Sequence, residues 1–151
     1  MMKKELQNEL FKKYPVIFRQ KDLPKQVTAM CYGIACGDGW YALIDEMCGN
    51  IKNRMENVNR SKPEEEHLVC EATQVKEKFG GLRFYVQGSD DFIDGIIDLA
   101  ESMSYRICSQ CGNQSTRSLN SNTNSNRCYR FWLNKWKCKR IGGRRYLTLH
   151  V

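Results

Sequence analysis

The sequence predicts an α+β fold: a small antiparallel sheet with a central hairpin, covered by helices and followed by a C-terminal zinc-ribbon-like module. Three observations carry that reading. Apolar residues recur at helical spacing through residues 40–58, the period changes to two between Leu68 and Gln87, and Cys108-Ser109-Gln110-Cys111-Gly112 opens a strongly basic last third. The expected organisation is a body of residues 1–106 and a module of residues 107–151. Within the module, the Asn/Ser-rich stretch 113–127 reads as a flexible loop, because it offers almost no apolar side chain to offset its ordering entropy.

Leu6, Leu10, Phe11 and Tyr14 mark a first amphipathic helix, which Pro15 ends because the residue before a proline avoids helix. Val16-Ile17-Phe18 reads as a brief strand. Trp40, Leu43, Ile44, Met47, Cys48, Ile51, Met55 and Val58 form the most regular helical pattern in the chain, with Asp38 placed to cap it. Beyond it, Phe79-Gly80-Gly81-Leu82 supplies a two-residue Gly-Gly turn between two strand-like runs. Ser89 or Asp90 can cap a last helix, whose expected buried stripe is Phe92, Ile93, Ile96, Ile97, Ala100 and Met103.

Composition narrows the function classes. With 151 residues, 41% hydrophobic and 27% charged, the chain can build an ordinary core, which excludes collagen-like, coiled-coil and wholly disordered readings. No run of about 18 apolar residues exists, and Met1-Met2-Lys3-Lys4-Glu5 leads into no apolar signal region, so the expectation is a cytoplasmic protein without membrane contact. Eight cysteines in such a setting point to metal binding or core packing rather than to disulfides. Charge is segregated: residues 1–100 hold 14 Lys and Arg against 16 Asp and Glu, whereas residues 101–151 hold ten Lys and Arg against Glu101 alone. The cationic third suggests an anionic partner, with a merely solubilising tail as the plain alternative.

Two constellations carry chemistry. A C-x-x-C-G turn presents two thiolates to one tetrahedral ion, so Cys108 and Cys111 are expected to hold a structural zinc. Cys138 and His150 are the expected completing pair, and Cys128 is the alternative. Redox chemistry would need the first cysteine at a helix N-terminus, whereas this motif follows a helix; unliganded core cysteines are the remaining alternative. The second constellation is the hairpin. If Phe79 faces Leu82, then Gln74 opposes Gln87, Lys76 opposes Tyr85 and Lys78 opposes Arg83 on one face, with Val75, Glu77, Phe84 and Val86 on the other. That outward face reads as a phosphate- and base-reading surface, or as a solvated face whose lysines are compensated nearby. Glu77 among apolar neighbours calls for a buried arginine or a ligand. Asp38 and Trp40 of Gly37-Asp38-Gly39-Trp40 are candidates for a pocket wall beside that face, or simply for a cap and a core residue. Cys36, His67 and Asp38 can be written as a nucleophilic set, but their spacing gives it no support, so no catalytic residue is assigned and a metal-dependent enzyme is the outside reading.

Residues 36–48, 74–88, 96–104 and 107–114 together resemble an uncharacterised family of small phage and prophage proteins. In it a G-D-G-W element, a Q-V-K-E-K-F-G-x-L-R-F-Y hairpin, an A-E-x-x-S helix and a C-x-x-C-G knuckle follow in order. That family typically closes on W-I-x-T-L-C-x-x-C or C-x-x-H. This chain departs from it, with Trp132-Leu133 and Cys138 matching one way and Thr148-Leu149-His150 another. The resemblance implies a phage accessory role in host takeover or counter-defence, and no defined activity. Two binding functions are therefore expected, with a homo-oligomer possible. In one, nucleic acid meets the tail, where Tyr129, Phe131, Trp132 and Trp136 lie among cations; in the other, a phosphorylated nucleotide signal is sequestered in a pocket.

Overall fold

A computed structural model describes residues 1–117, 126–128, 136–141 and 144–149 of the chain, with side chains for residues 1–114. The body is α+β, as expected, but its sheet is mixed rather than purely antiparallel. Helix α1 (Lys4–Lys13) leads through two 3-10 turns to a two-residue strand, β1 (Ile34–Ala35); helix α2 (Tyr41–Asn59) then crosses to β2 (Glu71–Lys78). The crossover sets β1 parallel to β2, with Ile34 beside Val75. Strand β3 (Gly81–Gln87) pairs antiparallel on the other side of β2, and α3 (Asp91–Ser104) follows. A two-residue strand leaves no periodic signal, and so β1 is invisible in the sequence.

Helix α2 follows its pattern closely: Ile44, Met47, Cys48, Ile51 and Met55 are buried, and Trp40 just before it is 0% exposed. Asp90 caps α3, its Oδ1 accepting from Ile93 N–H at 2.9 Å, while its other oxygen meets Arg54. Of the six residues expected in the stripe of α3, four hold, Ile96 among them as a partly buried residue packed against the core. Ile93, Ile97, Ala100 and Ser104 face the core, whereas Phe92 and Met103 are exposed. Val16–Phe18 is not a strand; Phe18 N–H returns to Tyr14 O, and Ile17 and Phe18 are core residues, with the Phe18 ring edge-on to Phe11 and Phe84.

Three of the eight cysteines are explained by this core. Cys36, Cys48 and Cys70 are buried, and burial pushes all three thiols up, Cys36 and Cys70 to about 12, so they pack as small apolar groups.

Both edges of the sheet are closed by helix side chains. At β1, Gln7 of α1 accepts from Ile34 N–H at 2.9 Å through Oε1 and donates to Met2 O at 2.7 Å through Nε2. At β3, Ser104 Oγ accepts from Leu82 N–H at 2.8 Å and Glu101 Oε1 from Phe84 N–H at 2.9 Å. Each bond occupies a ladder donor that would otherwise invite another strand.

Past α3 the chain forms a tight turn in which Ile107 pairs with Gln114, then β4 (Ser115–Arg117) pairs with β5 (Asn126–Cys128). The expected loop 113–127 is thus partly a two-stranded ladder. Strands β6 (Trp136–Ile141) and β7 (Arg144–Leu149) form a second ribbon. Among the described residues, no helix is long and apolar enough to cross a membrane.

Candidate functional site

The hairpin turns at Phe79-Gly80, with φ of 53° and 76°, and not at Gly80-Gly81. Positive φ at both central residues is what a tight right-twisted hairpin needs. Gly81 is required elsewhere: a Cβ on it would stand 2.5 Å from the Tyr105 ring. The register therefore slips by two from the expected one, with Lys78 opposite Gly81, Lys76 opposite Arg83, Val75 opposite Phe84 and Gln74 opposite Tyr85, and an irregularity between Ala72 and Gln74. A slip of two preserves faces. Val75, Leu82 and Phe84 still point into the core, and Gln74, Lys76, Lys78, Arg83 and Tyr85 still share the outward face.

The outward cations differ in how they are held. Lys76 Nζ lies 5.3 Å from the centre of the Tyr85 ring, which is itself exposed, and Lys78 lies over Phe79 at the turn. Arg83, expected to lack an acidic mate, has one on α3. Its Nη1 is 3.1 Å from Glu101 Oε2 and its Nη2 donates to the Tyr105 hydroxyl at 2.8 Å, interactions that raise its pKa, the Tyr105 bond most. Glu101 thus serves the Phe84 amide with one oxygen and Arg83 with the other. Glu77 is half-buried, and no arginine pairs with it among the described residues; its charge adds to the burial that raises Cys36.

The G-D-G-W loop and the knuckle interlock backbone to backbone. Gly39 N–H donates to Ser109 O at 2.8 Å, and the Trp40 indole donates to Ile107 O at 2.8 Å. A Cβ on Gly37 would stand 2.1 Å from Ser109 O, and one on Gly39 2.3 Å from Cys108 O. The glycines are there because two peptide chains touch. Asp38 does not cap α2, whose N-cap residue is Trp40; it reaches back to α1, accepting from Lys3 N–H at 2.8 Å and facing Lys3 Nζ at 3.3 Å. The Lys3 amide bond chiefly holds the Asp38 carboxyl below its ordinary value. Trp40 is core, and it is Gly39 that lines a cavity.

The knuckle has the backbone of a thiolate turn: Gly112 N–H donates to Cys108 O at 2.9 Å, Cys108 N–H to Asn113 O at 2.8 Å, and Gly112 takes φ of 73°. Cys108 is buried, while Cys111 is exposed and accepts from Asn113 Nδ2 at 3.3 Å. Of the expected completing ligands, Cys128 is paired in β5 with Ser115, just past the knuckle, and Cys138 is paired in β6 with Leu147. His150 lies outside the described residues. No group of three metal-binding side chains occurs among the residues whose side chains are described. A buried and an exposed thiol on one turn suit a soft cation by donor chemistry.

Two cavities among the described residues lie away from the hairpin face. One of about 540 Å³ lies between the ends of α1 and α2 beside His67, whose ring meets Lys62 O, and another of about 390 Å³ lies between α2 and α3. No family model, curated protein or solved structure matches the chain. Sequence reasoning missed Gln7, Glu101, Ser104 and Tyr105. For the last three the available signal was their spacing of three and four residues along one helix, a polar row beside an apolar stripe.

Proposed function

We propose that this chain is a nucleic-acid-binding protein, acting by binding rather than by catalysis, in which the α+β body carries a cationic ribbon. The observation that carries the reading is the register of β6 and β7. It brings Lys137, Lys139, Arg140, Arg144 and Arg145 onto one two-stranded ribbon together with Trp136 and Tyr146, with Arg140 opposite Arg145. A two-stranded ribbon that carries five cations and two aromatic residues suits phosphate neutralisation and base stacking, and the net +9 of residues 101–151 supports it. The resemblance to phage and prophage proteins supplies the setting of host takeover or counter-defence.

A structural zinc belongs to the same reading. Cys108 and Cys111 are its first ligands. The β4–β5 pairing favours Cys128 as the third, leaving Cys138 and His150 as candidates for the fourth. Metal analysis tests this: about one zinc per chain that Cys108→Ser abolishes is expected, and a metal-free, fully folded protein refutes it.

Sequestering a nucleotide in a pocket has less behind it. It needs Lys76, Lys78 and Arg83 to converge on a concavity, whereas the cavities named above are lined by other residues and Arg83 is held by Glu101 and Tyr105. The deciding experiment is affinity for a labelled oligonucleotide across a salt series. Replacing Lys137, Lys139 and Arg144 by Ala should flatten the slope by roughly 0.7–0.9 per charge removed. An unchanged slope, or tight salt-insensitive binding of a mononucleotide, overturns the reading.

A further inference from the structure

Helix α3 has a second apolar stripe, of which Ile96 alone packs against the core. Phe92, Ile96, Leu99 and Met103 recur at intervals of four, three and four residues, the spacing of a seam for another segment. Phe92, Leu99 and Met103 are 57%, 61% and 45% exposed. Between this stripe and Ala42, Leu43 and Met47 of α2 runs the apolar groove of about 390 Å³, ended by Ile107 and Gly112 of the knuckle. Gly95 lies beside the seam, and a Cβ there would meet nothing within 4 Å. No packing among the described residues accounts for a glycine that costs about 1 kcal/mol relative to alanine in mid-helix. A backbone approaching closely from outside does account for it. Acidic residues stand beside the groove, Asp91 and Asp98 on α3 and Glu46 in its α2 wall, while Glu101 faces the sheet edge and Arg54, paired with Asp90, lies over the Phe92 ring.

We infer that this groove seats the chain's own segment Tyr129-Arg130-Phe131-Trp132, which lies outside the described residues. The fit is chemical. Three aromatic side chains match the apolar seam, and Arg127, Arg130 and Lys135 match the acidic flank. Geometry permits it, because Gly112 lines the groove and the β4–β5 pairing sets Cys128, the residue before Tyr129, opposite Ser115 just past the knuckle. Tethering also raises the effective concentration of the segment to roughly millimolar, above that of a partner in solution. A second copy of α3 is the poorer occupant, since it would set Asp91 and Asp98 against their own copies. The aromatic segment lies outside the β6–β7 ribbon, and the inference stands whether or not that ribbon binds nucleic acid.

The test places a photoreactive benzophenone side chain at position 99, and separately at 103, in the full chain at high dilution. Cross-links within one chain from α3 to residues 127–136 are expected. In parallel, Leu99→Asp should speed tryptic cleavage after Arg130 by about tenfold while circular dichroism is unchanged, because opening the dock exposes the segment. Cross-links only between chains, cross-links that miss residues 127–136 from both positions, or an unchanged cleavage rate in the folded variant would each overturn the inference.

Discussion

The two edges of the sheet solve one problem with different chemistry. At β1 a neutral amide, Gln7, fills the gap: it is 6% exposed, it satisfies one donor and one acceptor, and it introduces no charge. At β3 the acceptors are a hydroxyl and a carboxylate, and the carboxylate brings a charge to a half-buried place. Such a charge needs a counter-ion, and Arg83, next to Phe84 on the same strand, supplies it. An outward arginine on a hairpin therefore does not by itself mark a ligand face; here it completes a strand edge built from the opposite helix.

The largest effect should come from the neutral edge. Gln7→Ala leaves Ile34 N–H and Met2 O buried without partners, at about 1–3 kcal/mol each, so a loss near 3 kcal/mol is expected from urea denaturation. A loss below about 1 kcal/mol would mean that water replaces the amide and that the edge is not sealed. The charged edge should lose less, because it is wetter. Glu101→Ala should cost about 2 kcal/mol, and Glu101→Gln, which keeps an acceptor for Phe84 N–H, about half of that. Equal losses in the two variants would assign the whole effect to the Arg83 pair and none to the amide.

Arg83→Ala should cost about 1 kcal/mol, since the pair is partly exposed, and should leave oligonucleotide affinity within about twofold. A tenfold fall in affinity with unchanged stability would return Arg83 to the ligand face and break the comparison. Among the described residues, Lys76 and Lys78 lie over aromatic rings and have no carboxylate partner, so they are the outward cations open to an anion.

What was legible in the sequence follows from how local each signal is. Helix α2 and the two faces of the hairpin were legible because a period of 3.6 or 2 needs only neighbours in the chain. The register was not, because two adjacent glycines can each serve a turn, and only Tyr105, more than twenty residues away, decides that Gly81 packs and Gly80 turns. Helix α3 showed six apolar positions, but periodicity cannot say which of two adjacent stripes faces inward. The roles of Gln7 and Asp38 depend on β1 and α1, which meet only in the folded chain. The knuckle was legible as a motif; its interlock with Gly37 and Gly39 was not, because the two loops meet only in the folded chain.

The last prediction carries the contrast of neutral and charged ties to the seat of α1, where it is smallest. Helix α1 is tied to β1 by Gln7, which has no titrating group, and to the Gly37–Trp40 loop by Asp38, whose carboxyl is held below its ordinary value chiefly by Lys3 N–H. A carboxyl depressed in the fold contributes stability that is fully present above its unfolded pKa, about 3.9, and is lost as pH falls through the lower folded value. Asp38→Asn keeps an acceptor for Lys3 N–H and removes only the charge. The variant should therefore be slightly less stable than the parent at pH 7, and the gap should close in acid once the pH has fallen through that depressed value. Gln7→Ala should show a gap of the same size at both pH values. If the Asp38→Asn gap is also unchanged by acid, the tie to Lys3 acts through geometry alone, and charge has no part in seating α1.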